Sequence, residues 1–241
     1  CWNETTDQKR GIIKRDTDFR DAEYSVFQGP LIYVGNPLYK TPRRVCASNK
    51  AYDIIDLDAI GDAFLPRTNY RPDVSIEEYG KLLPRLRWDS TKSHVQLYRL
   101  AFRKMLSLNG ERTLVSAILP PGTAHIFTLE SAAFDSEESL VQLHAMSIAL
   151  PYDFLVKSIG RADFQSSGLS HLPWVDLCGT AQHRGLRLAS LTKAYAELWN
   201  RHAPTLNVLP WSSPDRRLTL DGPMEGPTTW DRTSALRNDF A

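Results

Sequence analysis

The sequence predicts a mixed α/β fold (α+β): a central mixed β-sheet flanked by helices, with an irregular helical C-terminal extension. Three observations carry this. Thr113 to Leu119 is a run of small and apolar residues, too short for a helix and too uniformly apolar for a strand with one wet face; it reads as a strand buried on both faces. Residues 139–157 and 184–199 place leucines at helical spacing. After Pro204 the chain turns rich in Pro, Gly and Trp, with no period.

Taken in order, residues 1–26 are polar with mixed charge and read as a loose lead-in to a body spanning 27–178. Leu31 to Val34 is a short strand candidate between Gly29-Pro30 and Gly35-Asn36-Pro37. Lys40 to Arg44 is a basic loop stiffened by Pro42. Tyr52 to Leu57 is a further strand candidate. Leu65 to Pro72 is a second loop in which Arg67 and Arg71 flank Tyr70, a pattern suited to phosphate contact plus stacking, or to an ordinary ordered surface loop. Ser75 caps a helix with acids in its first turn, ending near Leu83 before Pro84. Leu97 to Arg103 fits helix or strand; strand is preferred, because 113–119 needs a neighbour. Asn109-Gly110 is a turn signal, and Pro120-Pro121-Gly122 stops the buried strand. Arg112 and His125 sit at its two ends, polar groups held by a rigid element where function is often placed. The stripe from Ser139 to Lys157 is interrupted at Pro151. Residues 160–168 form a polar loop with Arg161, and 184–199 is the clearest helix. Residues 179–241 form an extension that must pack on the body or on a neighbour.

Composition excludes several classes. The chain has 241 residues, 42% hydrophobic and 24% charged, ordinary for a globular protein. No apolar run approaches the ~20 residues that cross a bilayer. The start, Cys1 to Asp7, is polar, unlike a signal peptide, and lacks methionine; the chain reads as an excised piece of a cytoplasmic protein. Its three cysteines are scattered, against a disulfide framework or zinc site. Net charge is only +1. Yet Lys81 to Arg112 holds eight cations and two acids, while acids gather at 53–62 and 130–138. Separation of this kind can build a basic face on a neutral protein, or be unrelated surface clusters.

Catalytic motifs are few. Asn36-Pro-Leu-Tyr39 resembles the Asn-Pro-Pro-Tyr motif of amino-methyltransferases, with Leu38 in place of the second proline and no cofactor loop upstream; a Gly-Asn-Pro turn is the simpler reading. The six histidines show no HxxxH or HExxH pairing, and no GxSxG, Walker or Rossmann glycine set occurs. A Ser/His/Asp hydrolase would need a cluster that the sequence does not single out.

Several segments together carry a resemblance. Arg87-Trp88, Tyr98-Arg-Leu-Ala-Phe-Arg103, Asn109-Gly-Glu-Arg-Thr-Leu-Val-Ser-Ala-Ile-Leu-Pro-Pro-Gly122 and His125 resemble the C-terminal specificity region of large adenine-N6 DNA methyltransferases. These are the single-chain type IIG restriction–modification enzymes and the bacterial phage-defence methylases. The likeness extends over residues 27–240, through Leu140–Leu155, Leu172-Pro173-Trp174 and Leu236 to Ala241. It implies a target recognition domain at 27–178 that grips double-stranded DNA. A separate N-terminal methyltransferase domain of the parent would bind S-adenosylmethionine and methylate adenine. This piece would then be non-catalytic and hold neither cofactor nor metal. Charge and loop position select Lys40, Arg43, Arg44, Arg67, Arg71 and Lys104 as phosphate contacts, with Arg161 and Gln165 as candidate base readers. For Arg99, Arg103 and Arg112 a structural role, pinning loops to the sheet, is favoured. The competing reading is a protein-interaction module using Trp199, Trp211, Trp230 and the acidic 130–138 segment.

Overall fold

A computed structural model describes residues 2–17, 25–46, 48, 50–207 and 227–237. It has the mixed α/β architecture expected, with the β structure divided among three small sheets rather than gathered in one. The organising sheet has the order β7-β6-β9, from β6 (Arg99–Arg103), β7 (Ser116–Leu119) and β9 (Leu129–Ala133), all antiparallel. The mixed sheet joins β1 (Ile13–Arg15), β5 (Tyr70–Pro72), β2 (Val26–Phe27) and β8 (Ala124–His125), the last pair parallel. A separate hairpin pairs β3 (Lys40–Pro42) with β4 (Tyr52–Ile54).

The buried strand is covered on both faces because its side chains alternate between two cores. Leu114 and Ile118 point into the larger core with Leu100, Phe102, Leu140 and Met146. Val115, Ala117 and Leu119 point into another with Phe27, Leu31 and Ile32. Among the described strands β7 pairs with β6 alone, so its outer edge needs other partners. Gly35 N–H donates to Ser116 O (2.9 Å) and Tyr195 Oη–H to Ile118 O (2.9 Å). Gly35 has φ +71°, and a Cβ there would lie 3.1 Å from Leu188. Both the left-handed turn and the close approach require glycine.

Helix α2 (Ile76–Leu82) starts as expected, with Ser75 Oγ accepting from Glu78 N–H at 3.2 Å. Pro151 lies in the first turn of α4 (Leu150–Ile159), which leaves α3 (Glu137–Ile148) at 71°. Among the described residues, no single helix is long and apolar enough to cross a membrane.

Several expectations are corrected. Residues 2–17 are built into the body: α1 (Thr6–Lys9) precedes β1, which pairs with β5, and Trp2 is buried. Gly29–Leu31 forms a 3-10 turn and the strand lies earlier, at β2, because Pro30 lacks an N–H and its fixed φ suits a helical first turn. The loop at 65–72 contains β5, with Tyr70 buried. After the one-turn α5 (Ser166–Leu169), the single helix expected at 184–199 is two, α6 (Gly179–Ala189) and α7 (Ala196–His202). Leu186 and Leu198 belong to the larger core, whereas Leu191 packs with Leu38, Ile55, Ile60 and Ala235. One straight helix cannot serve both cores. The C-terminal segment 227–237 returns to the body: Arg232 reaches Ile60 O (2.6 Å) and Arg237 reaches Leu57 O (2.8 Å).

Candidate nucleic-acid interface

The two ends of the organising strand are structural. Asp153 Oδ1 accepts from the N–H groups of Thr113 (2.8 Å) and Leu114 (2.7 Å), and lies 3.4 Å from Arg112 Nε. Arg112 also donates to Ile148 O at 2.7 Å. A buried carboxylate here satisfies two backbone donors that the short strand leaves over, and the arginine balances its charge. His125 Nδ1 lies 3.0 Å from Ile126 O and Nε2 lies 2.8 Å from Ser131 Oγ. Nδ1 must carry the proton, so Nε2 accepts from the serine and joins the mixed sheet to β9. Burial, with Arg99 nearby, lowers its pKa to about 3. Neutral and fully committed, it is scaffold. Arg99 is 2% exposed and donates to Thr123 O and Thr123 Oγ1, the latter at 3.3 Å; burial lowers its pKa to about 10.

The Asn36-Pro-Leu-Tyr39 segment is a turn. Asn36 Oδ1 accepts from Leu38 N–H at 2.7 Å, and Tyr33 N–H donates to Asn36 O at 2.8 Å. An asparagine amide spent on its own backbone cannot grip a substrate amino group.

The candidate DNA contacts fall on two bonded pairs of segments. Lys40 and Arg43 lie on or beside the β3–β4 hairpin, and Arg44 is exposed at its turn. Thr41 Oγ1 donates to Arg67 O at 3.3 Å, tying the hairpin to the 65–72 segment. Lys104 follows β6, with Nζ 3.1 Å from the centre of the half-exposed Phe127 ring. The 160–168 loop is bonded to the same chain exit, Phe164 N–H to Lys104 O at 2.7 Å and Leu106 N–H to Ala162 O at 2.8 Å. Arg161 and Gln165 are exposed on that loop.

Their commitments differ. Arg71 Nε is 2.7 Å from Asp16 Oδ2, both about two-thirds buried, so its charge is balanced within the mixed sheet. Arg43 Nε is 2.8 Å from Asp53 Oδ1, but both are more than half exposed, and such pairs exchange readily with solvent ions. The side chains of Arg67 and Arg161 have no partner among the described residues.

Sequence reasoning missed a cleft of about 580 Å³ behind the hairpin. Arg15, Lys40 and Arg103 line it, with Glu4 as its acid. Tyr33, Tyr39, Tyr52 and Tyr70 supply rings. Together these residues come from six separate stretches of chain, so no local motif marked the cleft. Arg103 Nε donates to Gly29 O at 2.8 Å and Nη2 to Ile32 O, which holds the guanidinium against the cleft wall. Tyr52 Oη accepts from Gln28 Nε2 (2.7 Å) and Asn69 Nδ2 (2.8 Å), and burial raises its pKa.

The tryptophans of the interaction-module reading are used internally. Trp199 is buried with Nε1 donating to Pro227 O, and Trp230 Nε1 donates to Ser190 O, both at 2.9 Å. Trp211 lies outside the described residues. In the acidic segment, Glu137 is bound by Arg201 (2.8 Å) and His202 (3.0 Å). No protein-family model, curated protein or solved structure matches the chain.

Proposed function

We propose that this chain recognises double-stranded DNA as the specificity portion of a larger adenine-N6 DNA methyltransferase, whose other domain would supply S-adenosylmethionine and the chemistry. What supports the reading is a set of accessible cations on two bonded pairs of segments, the hairpin with the 65–72 segment and the exit of β6 with the 160–168 loop. Lys40, Arg43, Arg44, Arg67 and Lys104 neutralise phosphates and fix register. Arg71 leaves this set, because Asp16 already balances it. Arg161 and Gln165 have the donors and acceptors to read base edges in the major groove. Val45, 79% exposed at the hairpin turn beside Arg44, offers an apolar contact for a thymine methyl.

Filter binding to duplex across a salt series tests this. The Arg43→Ala, Arg44→Ala double variant is expected to keep its fold and to lower the salt slope by about two. An unchanged slope removes the hairpin from the interface. Absence of any shift of random duplex at low salt favours the second reading, a protein-interaction module docking subunits of a multi-protein defence complex. Leu150, Phe154 and Trp174, exposed on and beside α4, are what favours that reading.

A further inference from the structure

We propose that the cleft behind the hairpin binds a single nucleotide, its base against the tyrosine rings and its phosphate on Lys40 and Arg15. Three features point to this ligand. First, Arg15, Lys40 and Arg103 have no carboxylate partner among the described residues, while Glu4 is hydrogen-bonded to Tyr70 Oη. Three uncompensated cations in one concavity attract an anion. Second, the rings are placed to receive a planar group. Tyr33 and Tyr39 stack with centroids 4.8 Å apart. Lys40 Nζ lies 4.8 Å above Tyr39, and Arg103 Cζ lies 5.7 Å above Tyr33. Arg103 is fixed by two carbonyls, but Lys40 is half-buried and has no other partner among the described residues, so it can swing onto a phosphate and free the face of Tyr39 for a base. Third, about 580 Å³ is far more than a phosphate needs and is ample for one nucleotide.

The surplus of cations and rings stands on its own. Choosing a nucleotide over another aromatic anion rests on the duplex-recognition reading. The nucleotide can be free in solution or one unit of a strand, unstacked from its duplex at a cost of a few kcal/mol.

The test is calorimetric titration of the full chain with deoxynucleoside monophosphates and with inorganic phosphate. Nucleotides are expected to bind at least tenfold more tightly than phosphate. Tyr39→Ala should weaken nucleotides about tenfold and leave phosphate unchanged, while Lys40→Ala should weaken both. Duplexes with one mismatched pair separate the two sources. If the strand supplies the nucleotide, a mismatch tightens binding in wild type and not in Tyr39→Ala, because unpairing is then cheaper. If free nucleotides are the ligand, they bind and the mismatch has no effect. Nucleotides binding no better than phosphate would overturn the proposal, even with a normal salt slope on duplex. Nucleotide binding without duplex binding would overturn the recognition reading instead.

Discussion

The three-stranded sheet and the hairpin both carry arginines, and they use them in opposite ways. Arg99, Arg103 and Arg112 on or beside the sheet donate to main-chain carbonyls of other segments. Arg43 and Arg44 on the hairpin face solvent. Burial explains the difference. A guanidinium taken out of water must find acceptors for its five N–H groups, and the nearest are the unpaired carbonyls of loops crossing the sheet. A guanidinium left in water keeps its hydration, and the exposed Arg43–Asp53 pair exchanges readily with an arriving phosphate. Counting cations along 81–112 therefore overstates the basic face, since a large share of those charges hold the protein together.

The contrast is broken most severely at its buried end. Asp153→Ala leaves the N–H groups of Thr113 and Leu114, just before β7, without their acceptor and removes the carboxylate that balances Arg112. It should cost roughly 3–5 kcal/mol, seen as a lower urea midpoint. A loss under about 1 kcal/mol would mean the strand end is not pinned there.

Acid probes the same interior. Burial lowers the pKa of His125 to about 3 and of His144 to about 4, from 6.5. The unfolded chain takes up these protons first, so the stability is intact above about pH 6.5 and is lost as pH falls toward 3–4. Each histidine should cost about 2 kcal/mol by about pH 5. Urea midpoints from pH 7 to 5 check this, and His125→Gln should flatten the slope. A midpoint independent of pH would contradict the buried neutral assignment.

Gly35→Ala tests the seam between the regions, where the hairpin's lead-in meets the outer edge of β7. Its positive φ and the 3.1 Å approach to Leu188 predict a loss of about 1–2 kcal/mol. Unchanged thermal stability would show that Leu188 yields freely.

The smallest stability effect belongs to the hairpin. Arg43→Ala should change stability by under about 0.5 kcal/mol, yet reduce the salt slope of duplex binding by about one. A large stability loss with an unchanged slope would move Arg43 into the scaffold class.

Much of the frame was legible residue by residue. The run at 113–119 is buried on both faces as expected, although the strand itself covers Ser116–Leu119; Ser75 caps its helix, and Pro151 interrupts its stripe. The hairpin and β5 were harder to see. Strands of three residues are too short to show a period, and Pro42 and Pro72 argue against strands until their edge or end positions are known. The break between α6 and α7 was hidden because leucine spacing shows that a side chain is buried and not which core buries it.

The sequence by itself determined the mixed fold class, the strand buried on both faces and the candidate cations, because these follow from local periodicity and residue chemistry. Only the tertiary structure decided which cations are already committed, that His125 is neutral scaffold, and that four distant tyrosines share one cleft with Arg15, Lys40 and Arg103. Those properties depend on desolvation and on long-range partners, which a linear string of residues does not encode locally.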